Sequence, residues 1–303
     1  MITGLQWPFE PIRDRAGRAG DWVMLHGPIV TPAQHSQFAD LRRYGARFAG
    51  MTSYFDFPRV DPRDGLDYES ICEAWCHCFR DPQQYFLQDA PRALLSASDF
   101  TDWAWVARNA ASATAPDIYD LVYVGAAEPW QQQAKNWPLA ARCLPRLCHA
   151  FGMRALVIGQ ADATFPAQPG ITFLPVQEWP ALLAALSRAR VLFVPNAIDP
   201  SPRVVAEVLC LDIPLLMQRH ILGGWKYINR YTGVFFDDEN DVVHAASELL
   251  ASTVAPREWF RGNFGPETSS RRLGALLQTC DSALDKDAGW RVSAAGPQRH
   301  LAV

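Results

Sequence analysis

The strongest constraint on this chain is a series of short apolar runs: DLVYVG (120–125), MRALVIG (153–159), GITFLP (170–175), RVLFVP (190–195), IPLLM (213–217) and GVFF (233–236). Runs of this length that are apolar on both faces suit strands in the middle of a sheet covered on both sides. Helical stretches at 137–151, 178–188, 202–211 and 240–251 separate most of them, so the series reads as β-α units around a parallel sheet.

An earlier series has the same form. DWVMLHG (21–27), RFAGMTS (47–53) and RALLSAS (92–98) are predicted strands, AQHSQFADLRRYG and DYESICEAWCHCFR predicted helices, and YFDFPRVDPRDGLD a loop. The stretch NAASATAPD between the two series is the expected hinge. The pattern predicts an N-terminal α/β domain over 1–116, a second α/β domain over 117–285 and a loose tail over 286–303. The expected class is α/β, with two Rossmann-like doubly wound domains facing a cleft and the N-terminal one reduced. A single long doubly wound domain is the other architecture the pattern allows. Such folds bind ligands at the carboxyl ends of their strands, which makes an enzyme or a ligand-binding protein the first expectation.

Composition narrows the partners. The chain has 303 residues, 49% of them hydrophobic, enough for a large core, and only 20% are charged, with a net charge of -4. No global basic field draws it to nucleic acid or anionic lipid. No apolar run approaches the roughly 20 residues that span a bilayer, and MITGLQWPFEPIRDRAGRAG lacks the apolar core of a signal peptide, so a cytoplasmic location is expected. The seven cysteines fit reduced thiols. Cys72, Cys76, His77 and Cys78 cluster, but without the second, distant ligand pair of a zinc site; on a helix, Cys72, Cys76 and Phe79 would share an apolar face.

The segment DPSPRVVAEVLCLDIPLL (199–216) raises a chemical question. It follows a strand, Ser201 and Pro202 form a favourable helix start, and Asp199 therefore stands in the strand-to-helix loop. Val204, Val205, Val208 and Leu211 bracket Glu207, and a carboxylate beside an apolar edge needs donors. The plainer alternative is a turn-forming Asp and an exposed helical Glu.

The region from VLFVPNAIDPSPRVVAEVLCLDIPLL through GGWKYINRYTGVFFDDENDVVHAASELL resembles the donor-binding region of family-4-like retaining glycosyltransferases of the GT-B fold. Asp199, seven residues and Glu207 match the family's acidic pair, DIPLL its following strand, Gly223-Gly224 its glycine pair and TGVFFDDEND its last strand and turn. Upstream, DLVYVGAAEPWQQQAKNWPLAARCL resembles the first strand and helix of that domain, with Gly125 and Lys135 where the diphosphate is expected. The resemblance implies a metal-independent transfer of a sugar from a nucleotide-diphosphate donor, with retention and no further cofactor. It implies that Glu207 accepts from the ribose hydroxyls, Asp199 faces the transferred sugar, Lys135 neutralises the diphosphate, and Ser201, Pro202 and Arg203 belong to the donor pocket.

Two departures stand out: Trp130 occupies the place of an expected arginine, and Asp199 that of a more usual glutamate. Arg203, Lys226 or an N-domain arginine could supply the missing charge.

The first domain is expected to take the acceptor, which the sequence leaves open among a glycan, a lipid-linked group, a protein and a small molecule. His26 and Gly27 in LHGP end the first predicted strand, and His26 is a candidate catalytic or acceptor contact; a structurally bonded histidine is the alternative. Thr52, Ser53 and Tyr54 follow the second strand, and Ser98 and Asp99 read as a helix cap. His77 reads as structural rather than as a cleft residue. Trp103, Trp105, Trp130 and Trp137 could stack on a base or sugar, or simply pack in the core. A catalytically inactive sugar-nucleotide-binding protein or scaffold remains the alternative function, while a dinucleotide oxidoreductase lacks its G-x-G-x-x-G fingerprint.

Overall fold

The computed structural model describes residues 4–53, 57–58, 65–86, 89–110, 119–126, 129–160, 162 and 164–292. The chain divides into two compact units, Met1–Thr101 with Phe264–Val303, and Asp102–Asn263.

The first unit is built on one sheet of β1 (Phe9–Arg13), β2 (Ala19–Leu25), β3 (Arg47–Met51), β4 (Ala74–His77) and β5 (Arg92–Leu94), side by side in chain order. β1 runs antiparallel to β2 and the remaining pairs are parallel. Helix α1 (Pro32–Arg43) links β2 to β3, and the short α2 (Tyr68–Ile71) precedes β4. A capping box, in which Thr31 accepts from the backbone of Gln34, starts α1, with Pro32 in its first turn.

Right-handed crossovers between strands laid down in one direction place their helices on one face of a sheet. Here Phe38 of α1 meets Phe9 and Phe48 at 6.4 and 5.3 Å between ring centres. The opposite face is covered by the last helix, α10 (Pro266–Cys280), whose Leu273, Leu276 and Leu277 pack on Trp22, Met24, Ala49, Met51, Ala74 and Cys76. That return of the chain corrects the expected domain limits: helix α10 belongs with the first sheet rather than with a domain ending at 285. Most of the expected hinge (111–117 of 109–117) and of the expected tail (293–303 of 286–303) lies outside the described residues.

A second correction concerns DYESICEAWCHCFR, expected to be one helix. Only Tyr68–Ile71 is helical, Cys72 closes it, and Ala74–His77 is a strand buried at every position. A fully buried strand has no alternation to separate it from a buried helix. Trp75 settles the matter by lying over Gly50 of β3, where a Cβ would come within 2.2 Å of the indole. Strand β1 has no counterpart in the expectations, since Pro11 interrupts its run; at a sheet edge proline is tolerated.

In the second unit β6 (Tyr119–Val124), β7 (Ala155–Ile158), β8 (Ile171–Leu174), β9 (Ala189–Val194), β10 (Leu215–Gln218) and β11 (Gly233–Phe236) form one parallel sheet in the order β11-β10-β9-β6-β7-β8. The chain winds outward from β6 to β8, returns to set β9 on the other side of β6, and winds outward again. This is the doubly wound order, with its reversal between β6 and β9. The helices are α3 (Trp103–Ala110), α4 (Pro129–Lys135), α5 (Trp137–Phe151), α6 (Trp179–Leu186), α7 (Arg203–Cys210), α8 (Val242–Ala251) and α9 (Pro256–Asn263). On one face Leu144 and Leu147 of α5 and Val242 and Leu249 of α8 pack on Leu121, Val157, Val191 and Phe193. GITFLP, expected in the sheet interior, forms the edge strand β8 instead, and Phe173 is 38% exposed. Among the described residues no helix is long and apolar enough to cross a membrane.

Candidate functional site

The reversal brings the carboxyl ends of β6 and β9 side by side, where doubly wound sheets bind ligands. Gly125 follows β6 and its N–H donates to the Ile158 carbonyl at 2.8 Å. A Cβ there would come within 2.9 Å of the Cβ of Gln160, so the site admits only glycine without displacement.

After β9 the chain turns through Asn196 to Asp199. The Asp199 Oδ2 atom accepts from Lys135 Nζ at 2.6 Å and from Asn196 Nδ2 at 2.9 Å. Lys135 and Asp199 lie 64 residues apart, and their side chains are only 20% and 13% exposed. Two further bonds hold them in register. Ala197 N–H donates to the Ala134 carbonyl at 3.1 Å, and the Asn136 amide donates to the Pro195 carbonyl at 3.1 Å. Asn136 has a left-handed backbone, φ 53°, which ends α4 and reorients the chain into α5.

The other side of the loop is clamped by the glycine pair. Leu222 and Gly223 N–H donate to the carbonyls of Ala197 and Asp199 at 2.8 and 3.0 Å. A Cβ at Gly223 would sit 1.9 Å from the Pro200 carbonyl oxygen, and Gly224, at φ 81°, lies against Pro202. The backbone of 222–224 can therefore rest directly on the loop that carries Asp199.

Helix α7 starts one residue later than expected. Pro202 occupies the cap position and Arg203 is the first helical residue, so Ser201 precedes the cap. Glu207, four residues on, is 7% exposed, and its Oε1 accepts from the indole N–H of Trp179 at 2.8 Å. Trp179 opens α6 and stacks on Trp105 of α3 with ring centres 3.9 Å apart. Burial, together with the negative charge of Glu207, pushes the Cys210 thiol up. Of the three residues expected to share one ligand, Lys135 and Asp199 are in contact, and Glu207 is held in a separate bond to Trp179. No pattern in the sequence pointed to Trp179, because a tryptophan at a helix start is ordinary core material.

No family model and no curated protein matches the sequence. Solved structures do match. The chain is similar to sucrose-phosphate synthase from Thermosynechococcus elongatus, at 14% identity over 82% of this chain and 72% of that one, with a TM-score of 0.56. It is also similar to a UDP-forming α,α-trehalose-phosphate synthase from Burkholderia xenovorans, at 13% identity over 86% and 74%, with a TM-score of 0.62. A putative UDP-N-acetylglucosamine 2-epimerase from Listeria monocytogenes matches at 10% identity over 88% and 76%, with a TM-score of 0.54.

The fold is the GT-B fold.

In the first unit of this GT-B fold, His26 directly follows β2 with both ring nitrogens engaged. Nε2 lies 2.8 Å from Glu10 Oε2 and Nδ1 lies 3.0 Å from Ser53 Oγ, while Trp7 stacks on the ring at 5.6 Å. Glu10 and His26 are both buried. A carboxylate beside Nε2 favours the tautomer with the proton there, which leaves Nδ1 as a base toward Ser53. Glu10 escaped notice in the sequence because β1 did.

Most of the remaining candidates that the structure describes are engaged in packing or local hydrogen bonds. Buried His77 stacks on Phe79 with ring centres 6.2 Å apart. Thr52 Oγ1 accepts from the Cys78 N–H at 3.1 Å. Asp99 accepts from the Ser96 N–H at 2.9 Å, so the cap is Ser96 with Asp99 rather than Ser98. Trp137 packs in the core and donates to Asp162 at 2.7 Å, and Arg261 covers Trp103 at 3.9 Å. Cys72, Cys76 and Cys78 are buried, and among the described residues no group of three or more potential ligands could hold a metal ion. Tyr54 and the side chain of Trp130 lie outside the described residues.

Proposed function

We propose that this chain is a glycosyltransferase that moves a sugar from a nucleotide-diphosphate donor, with UDP or GDP as the leaving group, to an acceptor hydroxyl, without a metal and with retention. The observation that carries the reading is the Lys135–Asp199 pair at 2.6 Å, set at the β6/β9 reversal of a doubly wound sheet. Breaking the bond between sugar and diphosphate leaves negative charge on the diphosphate, and the Lys135 ammonium stabilises that charge as it grows. Asp199, fixed by Asn196, faces the sugar. Gly125 lets backbone approach the phosphates, and Ser201, Pro202 and Arg203 line the start of α7. Glu207 accepts from the ribose hydroxyls, a two-acceptor group meeting a two-donor one. His26, oriented by Glu10, serves the acceptor side.

The GT-B likeness to two sugar-phosphate synthases supports this reading. Its test is a panel of UDP- and GDP-sugars screened for thermal stabilisation, followed by release of nucleoside diphosphate with candidate acceptors. Glu207→Ala should weaken donor binding and Lys135→Ala should slow turnover; unchanged kinetics in both would overturn the assignment.

The likeness to a putative 2-epimerase favours a second reading, in which the same site isomerises a nucleotide sugar. UDP-N-acetylglucosamine incubated alone separates the two, since an epimerase forms a new nucleotide sugar with no acceptor present. A protein that binds the donor and does neither is a binding module.

A further inference from the structure

In the first unit, polar side chains from separate stretches of chain meet at one end of the sheet. Glu10 lies on the edge strand β1, opposite Met24 of β2. His26 and Ser53 follow the carboxyl ends of the adjacent parallel strands β2 and β3, the end at which open α/β sheets bind ligands. Glu10 Oε2 is 2.8 Å from His26 Nε2, and Ser53 Oγ is 3.0 Å from Nδ1. An ionised Glu10 accepts from Nε2–H, so Nδ1 carries the lone pair and accepts from the Ser53 hydroxyl. The backbone fixes both partners. His26 N–H donates to the Pro8 carbonyl at 2.9 Å, and Ser53 N–H donates to the Met51 carbonyl at 2.7 Å, closing a three-residue turn out of β3. The neighbouring hydroxyl makes the contrast. Thr52 is 2% exposed, and its Oγ1 accepts from the Cys78 N–H, tying β3 to the chain that follows β4. Ser53 is half-buried, and its hydroxyl meets the histidine.

We propose that Ser53, His26 and Glu10 form a nucleophile–base–carboxylate array, and that the first unit hydrolyses neutral carboxylic esters through an acyl-Ser53 intermediate. The activity goes beyond glycosyl transfer and uses no nucleotide sugar. Ser53 Oγ attacks the ester carbonyl carbon while its proton passes to His26 Nδ1, and that proton goes to the departing alkoxide as the carbon–oxygen bond breaks. Water then adds to the acyl carbon and gives a proton to Nδ1, which returns it to Ser53 Oγ as the acid leaves. The sum is ester plus water to acid plus alcohol. Glu10 is the positioning residue: it holds the tautomer and favours the imidazolium formed in each step. Its charge disfavours an anionic substrate. The Trp7 ring, stacked on the imidazole with ring centres 5.6 Å apart, gives the site an apolar wall, so a small apolar acyl group fits both.

The experiment treats the full chain, with no sugar donor present, with a fluorophosphonate probe, which loses fluoride to the serine oxygen it phosphonylates. Peptide masses then read the label at each serine. Ser53 is expected to label at least about 10²-fold faster than any other serine of the chain, and Ser53→Ala should remove that label. Hydrolysis of 4-nitrophenyl acetate should fall to the uncatalysed rate in Ser53→Ala. His26→Gln and Glu10→Gln, measured on the folded fraction, should each slow labelling by about 10²-fold, and Glu10→Asp should keep more of the rate than Glu10→Gln. Wild-type Ser53 labelled no faster than the other serines overturns the proposal. So does hydrolysis that Ser53→Ala leaves unchanged, or labelling that His26→Gln leaves unchanged. Should the variants of the buried residues fail to fold, the wild-type and Ser53→Ala measurements decide. None of these readouts involves a nucleotide sugar, so the donor-site reading stands or falls separately.

Discussion

The two sheets of this chain use the same strand chemistry and differ in the order in which strands are laid down. In the first, β1 to β5 follow one another across the sheet; in the second, the order reverses between β6 and β9. A reversal separates two loops that leave the sheet toward opposite faces, and the gap between them admits a ligand. In the second unit that gap is flanked by Gly125 and by the loop that carries Asp199, which α4 and the Gly223-Gly224 pair hold from either side. The first unit has no reversal among its described strands, and its polar array, Glu10–His26–Ser53, sits on the strand ends themselves. The contrast teaches that strand order, and not burial alone, decides which sheet opens a gap at its strand ends.

The comparison breaks or sharpens most visibly at two crowded glycines. Gly223→Val would drive a Cβ into the Pro200 carbonyl, and Gly50→Val would drive one into the Trp75 ring. Each should cost about 3 kcal/mol of stability, measured by urea unfolding. Only Gly223→Val should also abolish donor binding in the folded fraction; equal loss in both would show that the two units do not divide the work as described.

Next in size, Lys135→Ala should lower turnover by about 10³-fold while Lys135→Arg restores part of it, because charge is delivered to the leaving diphosphate in the transition state. In the first unit, His26→Ala and Glu10→Gln should lower turnover by about 10²-fold, with donor affinity unchanged. A glutamine amide can donate to Nε2 and so stabilise the wrong tautomer for a base at Nδ1. A change in donor affinity instead would move His26 to the donor's side of the comparison.

The smallest effect concerns acid stability. Hydrogen bonds from the Thr164 hydroxyl and the Trp137 indole hold Asp162 below the ordinary value of 3.8. A depressed carboxyl stabilises the fold above its unfolded value, and that contribution disappears as pH falls through the folded one. Asp162→Asn should therefore lower the Tm slightly at pH 7, and the difference from wild type should shrink as pH falls below the ordinary carboxylate value and disappear once the folded-state carboxyl is protonated. A gap that persisted in acid would assign the effect to packing of Trp137.

The second unit was more legible in the sequence than the first. Its strands over 120–125, 153–159, 190–195, 213–217 and 233–236 stand where short apolar runs put them, because burial on both faces leaves that pattern. The spacing of Asp199 and Glu207 and the position of Lys135 were visible too. What Glu207 touches was not, since Trp179 is 28 residues away and nothing local marks it as a partner. In the first unit, β4 was read as helix because its residues are apolar in every direction, and β1 was lost to Pro11, taking Glu10 with it.

By itself the amino-acid sequence determined the alternation of strands and helices, the parallel sheet of the rear half and the residue types available at its loops. These follow from side-chain periodicity and backbone preference, which act over a few neighbouring residues. The strand order, the return of α10 to the first sheet and the contact between Lys135 and Asp199 were decided only by the tertiary structure. They depend on which distant apolar faces cover one another and on the handedness of the crossovers that bring them together, and no local stretch of chain carries that information.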